Sequence, residues 1–253
     1  MKTADLKAIV RWCDQELRIP ELGDYSEAHN GLQVENHGQV VRIAAAVDAT
    51  LATIQKAIAA KANFLVVHHG LFWSKSVPWT GKRMELIRLL VENDIAVYSA
   101  HLPLDAHPKL GNNAGLARAI GLCKAKPFFT SHGYEIGLRG ELAITRTELV
   151  KRLEKVLAHR VTVLPGGAEK CRQIGIVTGG AGSELKTAAA AGVDTFITGE
   201  GPHWTYALAE EAGINVLYGG HYATETFGVK SLAKALSKRF KVPWVFLDHP
   251  TGL

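Results

Sequence analysis

Two adjacent histidines, His68 and His69, follow the apolar run FLVV at residues 64 to 67. A second pattern, a histidine followed four positions later by an acid, occurs at His101 with Asp105 and again at His221 with Glu225. Imidazole titrates near neutral pH and is also the commonest metal ligand, so these residues suit proton transfer or metal binding. Any one of them alone reads most simply as a hydrogen-bonded structural histidine or a helix-terminal acid. Such groups at strand exits, distributed over both halves of the chain, point instead to a shared metal site. Successive side chains of a strand project to opposite sides, so His68 and His69 are expected to serve two ions rather than chelate one. In that arrangement Asp105 and Glu225 bridge or flank two cations about 3.5 to 4 Å apart, and His221 completes one coordination sphere. Neutral imidazole with carboxylate suits zinc, iron, manganese, cobalt or nickel rather than calcium. Glu200, in ITGEG, reads as a general base, an acceptor behind a ligand, or a helix-terminal acid.

The elements that must carry these groups are α/β. RIAAAV (42 to 47), a helical pattern with Leu51, Ile54 and Ile58 on one face, and FLVV form a βαβ unit, which ELIRLLVEN and AVYSA (96 to 100) continue. GNNAGLARAIG predicts a further helix with Asn112 or Asn113 as its cap, and Asp48 and Thr50 read as caps of the helix after the first strand. Pro103 disfavours a helix within HLPLDAH, and a helix could start near Thr224. SHGYEIGLRGELAI breaks the rhythm, after which IGIVT, TFIT, NVLY and WVFLD alternate with helical patterns. The glycine-rich turn GGAG fits either a phosphate cradle or a tight turn. Such alternation predicts mostly parallel sheets covered by helices.

The halves align by counting. Val47 and Val177 stand 130 apart, as do Val67 and Ile197, while His101 and Asp105 stand 120 from His221 and Glu225. The longer loop LFWSKSVPWTGK in the first half accounts for the difference. The expectation is two similar α/β domains from an internal duplication, 1–125 and 126–253, with the last strand able to return to the first domain and the metal site in the cleft between them. Polar groups at the carboxyl ends of parallel strands would line such a cleft.

Composition narrows the function classes. A chain of 253 residues, 47% hydrophobic, is long enough for well-buried cores. It contains no apolar run near the roughly 18 residues that a bilayer requires, and its first residues do not read as a signal peptide, so a cytoplasmic location is expected. Three widely spaced cysteines, Cys13, Cys123 and Cys171, give neither a disulfide framework nor a thiolate zinc site. The net charge of +5 is mild and its basic residues are scattered, apart from KALSKRFK, which gives nucleic acid little support as a partner and a membrane none.

VVHHGLFW, SAHLPLDAHPKLGNNAGLA, DTFITGE, GGHYATE and YSEAHNGLQVE together resemble the NIF-three-like dinuclear metal-centre family, often catalogued as GTP cyclohydrolase I type 2 homologues. The resemblance spans nearly the whole chain. It implies two similar α/β domains, two divalent transition-metal ions between them, and a toroidal homohexamer. By motif, the ligands would be His68, His69, Asp105, His221 and Glu225, with His101 as a further ligand or a partner beside them. Two functions follow as expectations. One is a metal-dependent hydrolase of a nucleotide, phosphoester or purine-like ring, with Glu200 or His101 moving protons and Phe72, Trp73 and Trp79 available to stack a base. The other is a non-catalytic hexameric metal-binding scaffold or regulatory protein.

Overall fold

The computed structural model describes residues 3–73 and 77–253, so the expected long loop at LFWSKSVPWTGK falls partly outside the described residues. In chain order the elements begin with β1 (Ala4–Asp5), α1 (Leu6–Glu16), β2 (Gly31–Val34), β3 (Gln39–Val40), β4 (Ile43–Asp48), α2 (Leu51–Ala59) and β5 (Phe64–His69). They continue with α3 (Gly81–Glu92), β6 (Ala96–Ser99), α4 (Leu102–Asp105), α5 (Asn112–Ile120), β7 (Cys123–Ser131), β8 (Tyr134–Thr145) and α6 (Arg146–Leu157). The remainder is β9 (Thr162–Pro165), β10 (Lys170–Ile176), α7 (Leu185–Ala190), β11 (Thr195–Thr198), α8 (Thr205–Ala212), β12 (Asn215–Tyr218), α9 (His221–Thr224), α10 (Thr226–Phe240) and β13 (Trp244–Phe246). A 3-10 turn at Ala181–Glu184 precedes α7.

Two compact units result, Met1–Leu104 with Gly228–His249 and Asp105–Phe227 with Pro250–Leu253, whereas the sequence suggested a division at 125/126. Packing explains the earlier boundary: Leu116, Ala117 and Ile120 of α5 share a core with Leu149, Leu153, Ile174 and Ile197, all in the second unit. The last strand, β13, pairs in parallel with β4 of the first.

The sheet of the first unit runs β13-β4-β5-β6-β2, with β2 antiparallel to β6 and the other pairs parallel. Its inner strands carry continuous apolar runs because both faces are covered, as in Phe64 to Val67, each 0% exposed. Ile54 and Ala57 of α2 and Leu90 of α3 pack on one face with Leu65, Val67 and Val97. In the second unit the order is β7-β8-β10-β11-β12-β9, of which β10, β11 and β12 run parallel. The four strands β10-β11-β12-β9 repeat the order and directions of β4-β5-β6-β2, each ending in an antiparallel strand that precedes the parallel ones in sequence.

Local signals divided in outcome. Thr50 caps α2 in a reciprocal pair with Thr53, while Asp48 is drawn away to a histidine. Neither Asn112 nor Asn113 caps α5, whose cap position is Gly111, because both asparagine side chains are buried and engaged elsewhere. Pro103 lies inside α4, within the first turn, where a helix has no use for the missing N–H.

Candidate metal centre

In the first unit β4, β5 and β6 are parallel, so their carboxyl ends fall along one edge of the sheet. Asp48 and His69 are register partners at that edge, and His101 follows β6 by two residues. His68 is fully buried, and His101 is 8% exposed. Ring centroids lie 4.9 Å apart for His68 and His69, 4.9 Å for His68 and His101, and 5.7 Å for His69 and His101. One nitrogen from each of the three rings falls within 4.8 Å of the others. Strand alternation sends the rings of His68 and His69 apart; at the end of β5 they converge instead, each held by a different neighbour.

Those neighbours also assign the protons. His68 Nδ1 lies 2.9 Å from the Ala100 carbonyl oxygen, which can only accept, so Nδ1 carries a hydrogen. His69 Nδ1 donates to Asp48 Oδ1 at 2.8 Å, and His101 Nδ1 to Asp24 Oδ1 at 2.9 Å. Burial alone would raise the Asp24 carboxyl, but the hydrogen bond and charge of His101, with Asn30 and the Tyr25 amide, outweigh it and hold Asp24 below its ordinary value. Around the cluster stand aromatic rings, with Trp73 edge-on to His101 at 4.6 Å and to His69 at 5.4 Å. Phe72 and Trp79 stack edge-on with each other at 6.3 Å.

In the second unit the same strand geometry presents acids. Glu200 follows β11, and its Oε1 accepts from His221 Nδ1 at 2.8 Å. On the other side of that ring, His221 Nε2 lies 3.2 Å from Glu225 Oε2, one helical turn along α9. Burial works against a charged His221, yet Glu225 and Glu200 prevail and push its pKa up to about 9. The imidazolium therefore satisfies the two carboxylates at neutral pH. Asp105, 5% exposed, accepts from Asn112 Nδ2 at 2.8 Å and from Thr178 Oγ1 at 3.4 Å. Gly179, next in the chain, has φ +75, and a Cβ there would strike the Glu225 carboxylate. Thr178 and Gly179 thus touch the two buried acids in turn.

A family model described as Duf34/NIF3 (NGG1p interacting factor 3) matches residues 4–251. The chain belongs to this family. Among its Duf34/NIF3 relatives, a "GTP cyclohydrolase 1 type 2 homolog" of Deinococcus radiodurans is 40% identical, the alignment covering 97% of this chain and 93% of that protein. One of the same name from Archaeoglobus fulgidus is 40% identical over 98% of this chain and 100% of its own. The crystal structure of TTHA1606 from Thermus thermophilus superposes with a TM-score of 0.91 at 41% identity, covering 99% of this chain and 100% of that one.

Within this Duf34/NIF3 protein, His68, His69 and His101 come together in one unit, and Asp105, Glu200, His221 and Glu225 lie at the strand ends of the other. Asp24, Asn30 and Thr178 escaped the sequence reading, which took Asn112 for a helix cap rather than a partner of Asp105. Asp24 stands 77 positions before its histidine, just ahead of the motif YSEAHNGLQVE, and only the β2–β6 pairing carries that segment to His101. His132 and His203 are exposed, His132 in the hairpin turn beside Ser131.

Proposed function

We propose that the chain holds two divalent transition-metal ions through His68, His69, Asp105, His221 and Glu225, with His101 beside them, and uses them in a hydrolytic reaction on a nucleotide, phosphoester or purine-like ring. The observation that carries the metal reading is the common pose of the imidazoles. In the first unit three rings direct Nδ1–H to a carbonyl or carboxylate, and one nitrogen of each lies within 4.8 Å of the others. Carboxylate or carbonyl behind histidine, histidine toward the ion, is the arrangement that fixes the tautomer of a metal ligand. Nitrogen and carboxylate oxygen together fit iron, zinc, manganese or nickel.

His101 and Asp105 flank one turn of helix, and His221 and Glu225 flank another, so each histidine carries an acid about 6 Å along the helix axis. Bound metal would supply an acidified water and polarise the attacked group. The protein's own part is to hold the imidazoles oriented and to move protons. Glu200, with a side chain 49% exposed and its Oε1 on His221, is the group we assign to take or return a proton. Trp73, against His69 and His101, would exclude water from one side.

Hydrolysis rests on the names of the relatives and on this donor set, and the homohexamer and cytoplasmic setting belong to the same proposal. The test is to purify the protein with manganese, iron or zinc and screen GTP and phosphodiesters beside His69→Ala. Turnover by the metal-loaded protein and none by the variant is expected. Equal activity in both would discard the metal mechanism, and tight metal binding without any product would favour the scaffold reading.

A further inference from the structure

The segment from Asp24 to Asn30 grips the start of α4 at three points. Asp24 is nearly buried, its side chain 4% exposed, and its two oxygens accept from His101 Nδ1 at 2.9 and 3.1 Å, from the Leu102 amide at 3.1 Å, from the Tyr25 amide at 2.8 Å and from Asn30 Nδ2 at 2.8 Å. Asn30 Oδ1 in turn accepts from the His101 amide at 2.7 Å. The segment is delivered there by the sheet, because β2 begins at Gly31 and Gly31 pairs with Ser99 at the end of β6.

We propose that Asp24 is a positioning residue for the metal centre, one that fixes the tautomer and direction of His101 and caps the helical turn that ends at Asp105. The inference rests on the metal reading above and adds to it a residue 77 positions away that touches no proposed ion. One carboxylate meets four donors, two of them on consecutive residues of HLPLD. A neutral side chain cannot serve them all: asparagine would keep one acceptor oxygen and turn an NH2 toward an N–H. A buried acid needed only for folding would cost stability on removal. A positioning acid also costs metal affinity, at constant fold.

Two measurements separate these outcomes. In metal-free protein, 15N-edited NMR of His101 should show a proton on Nδ1, hydrogen-bonded and slow to exchange, and this signal should be lost in Asp24→Ala. A wild-type spectrum with the proton on Nε2, or an unchanged signal in the variant, would overturn the proposal whether or not metal binds. Zinc affinity is then measured by chelator competition in wild type and Asp24→Asn, with circular dichroism confirming the fold of each. A loss of about 10- to 100-fold is expected for an outer partner of a ligating histidine. Wild-type affinity in the folded Asn variant would refute the positioning role, whereas a wild-type protein that binds no zinc, manganese or iron at all would refute the metal reading itself.

Discussion

The two units use one strand plan to present different chemistry. In β4-β5-β6-β2 the parallel strands end in His68, His69 and His101, three imidazoles whose acceptors are the Ala100 carbonyl, Asp48 and Asp24. In β10-β11-β12-β9 the equivalent exits bring Thr178, Glu200 and His221, and the acids Asp105 and Glu225 stand beside them. The first unit keeps the Asp48 and Asp24 carboxylates behind the rings and so presents imidazole nitrogen. The second turns the Glu200 and Glu225 carboxylates onto His221, so it offers negative charge that a proton on His221 balances. Strand topology decides where polar groups gather, and the residue types decide what chemistry each unit presents there.

Removing a donor from either unit is the strongest way to break the contrast. His69→Ala and Glu225→Gln should each lower metal affinity by more than about 100-fold, beyond what an outer partner costs. Equilibrium dialysis with zinc checks both. If only one of them mattered, the proposed centre would belong to a single unit. Next in size, Asp48→Asn removes the charge behind His69 and should cost about 10- to 100-fold in the same measurement.

Two neighbouring glycines sharpen the second unit's part. Gly179 has φ +75 and faces the Glu225 carboxylate, so Gly179→Ala combines a left-handed backbone with a clash and should lower stability by about 1–3 kcal/mol in urea unfolding. Gly180, at φ −93 with its nearest neighbour 3.6 Å from a built Cβ, should accept alanine within about 0.5 kcal/mol.

The smallest effect is a pH dependence. His221 is raised in the folded chain from 6.5 to about 9, so its protonated form stabilises the metal-free protein fully below pH 6.5, and this contribution is lost as pH rises through 9. The melting temperature of metal-free protein should fall across that window, and the fall should shrink in Glu225→Gln. Because a ligating imidazole must be neutral, zinc affinity should rise over the same range. A flat profile in both would contradict the imidazolium between Glu200 and Glu225.

Much of this was legible in the sequence because the groups sit where strands end. FLVV announces a buried parallel strand, so the two histidines after it had to lie at a sheet edge, and the same logic located Glu200 and His221. What escaped was decided by distant packing. Asp48 looks like a helix cap until His69 is set beside it in register, and Asn112 looks like one until Asp105 claims its amide. Pro103 argues against a helix, yet a single turn needs no N–H from it. The domain boundary moved for a similar reason, since nothing local to α5 tells which sheet its apolar face will join.

The most direct test of the central claim is elemental analysis of protein purified without a metal-affinity tag, beside His69→Ala prepared identically. Two first-row transition-metal ions per chain in the wild type, and a marked loss in the variant, are the expected result. Wild-type protein that holds no such ion, even after incubation with zinc, manganese or iron and removal of excess, would contradict the claim that these imidazoles and carboxylates form a metal centre.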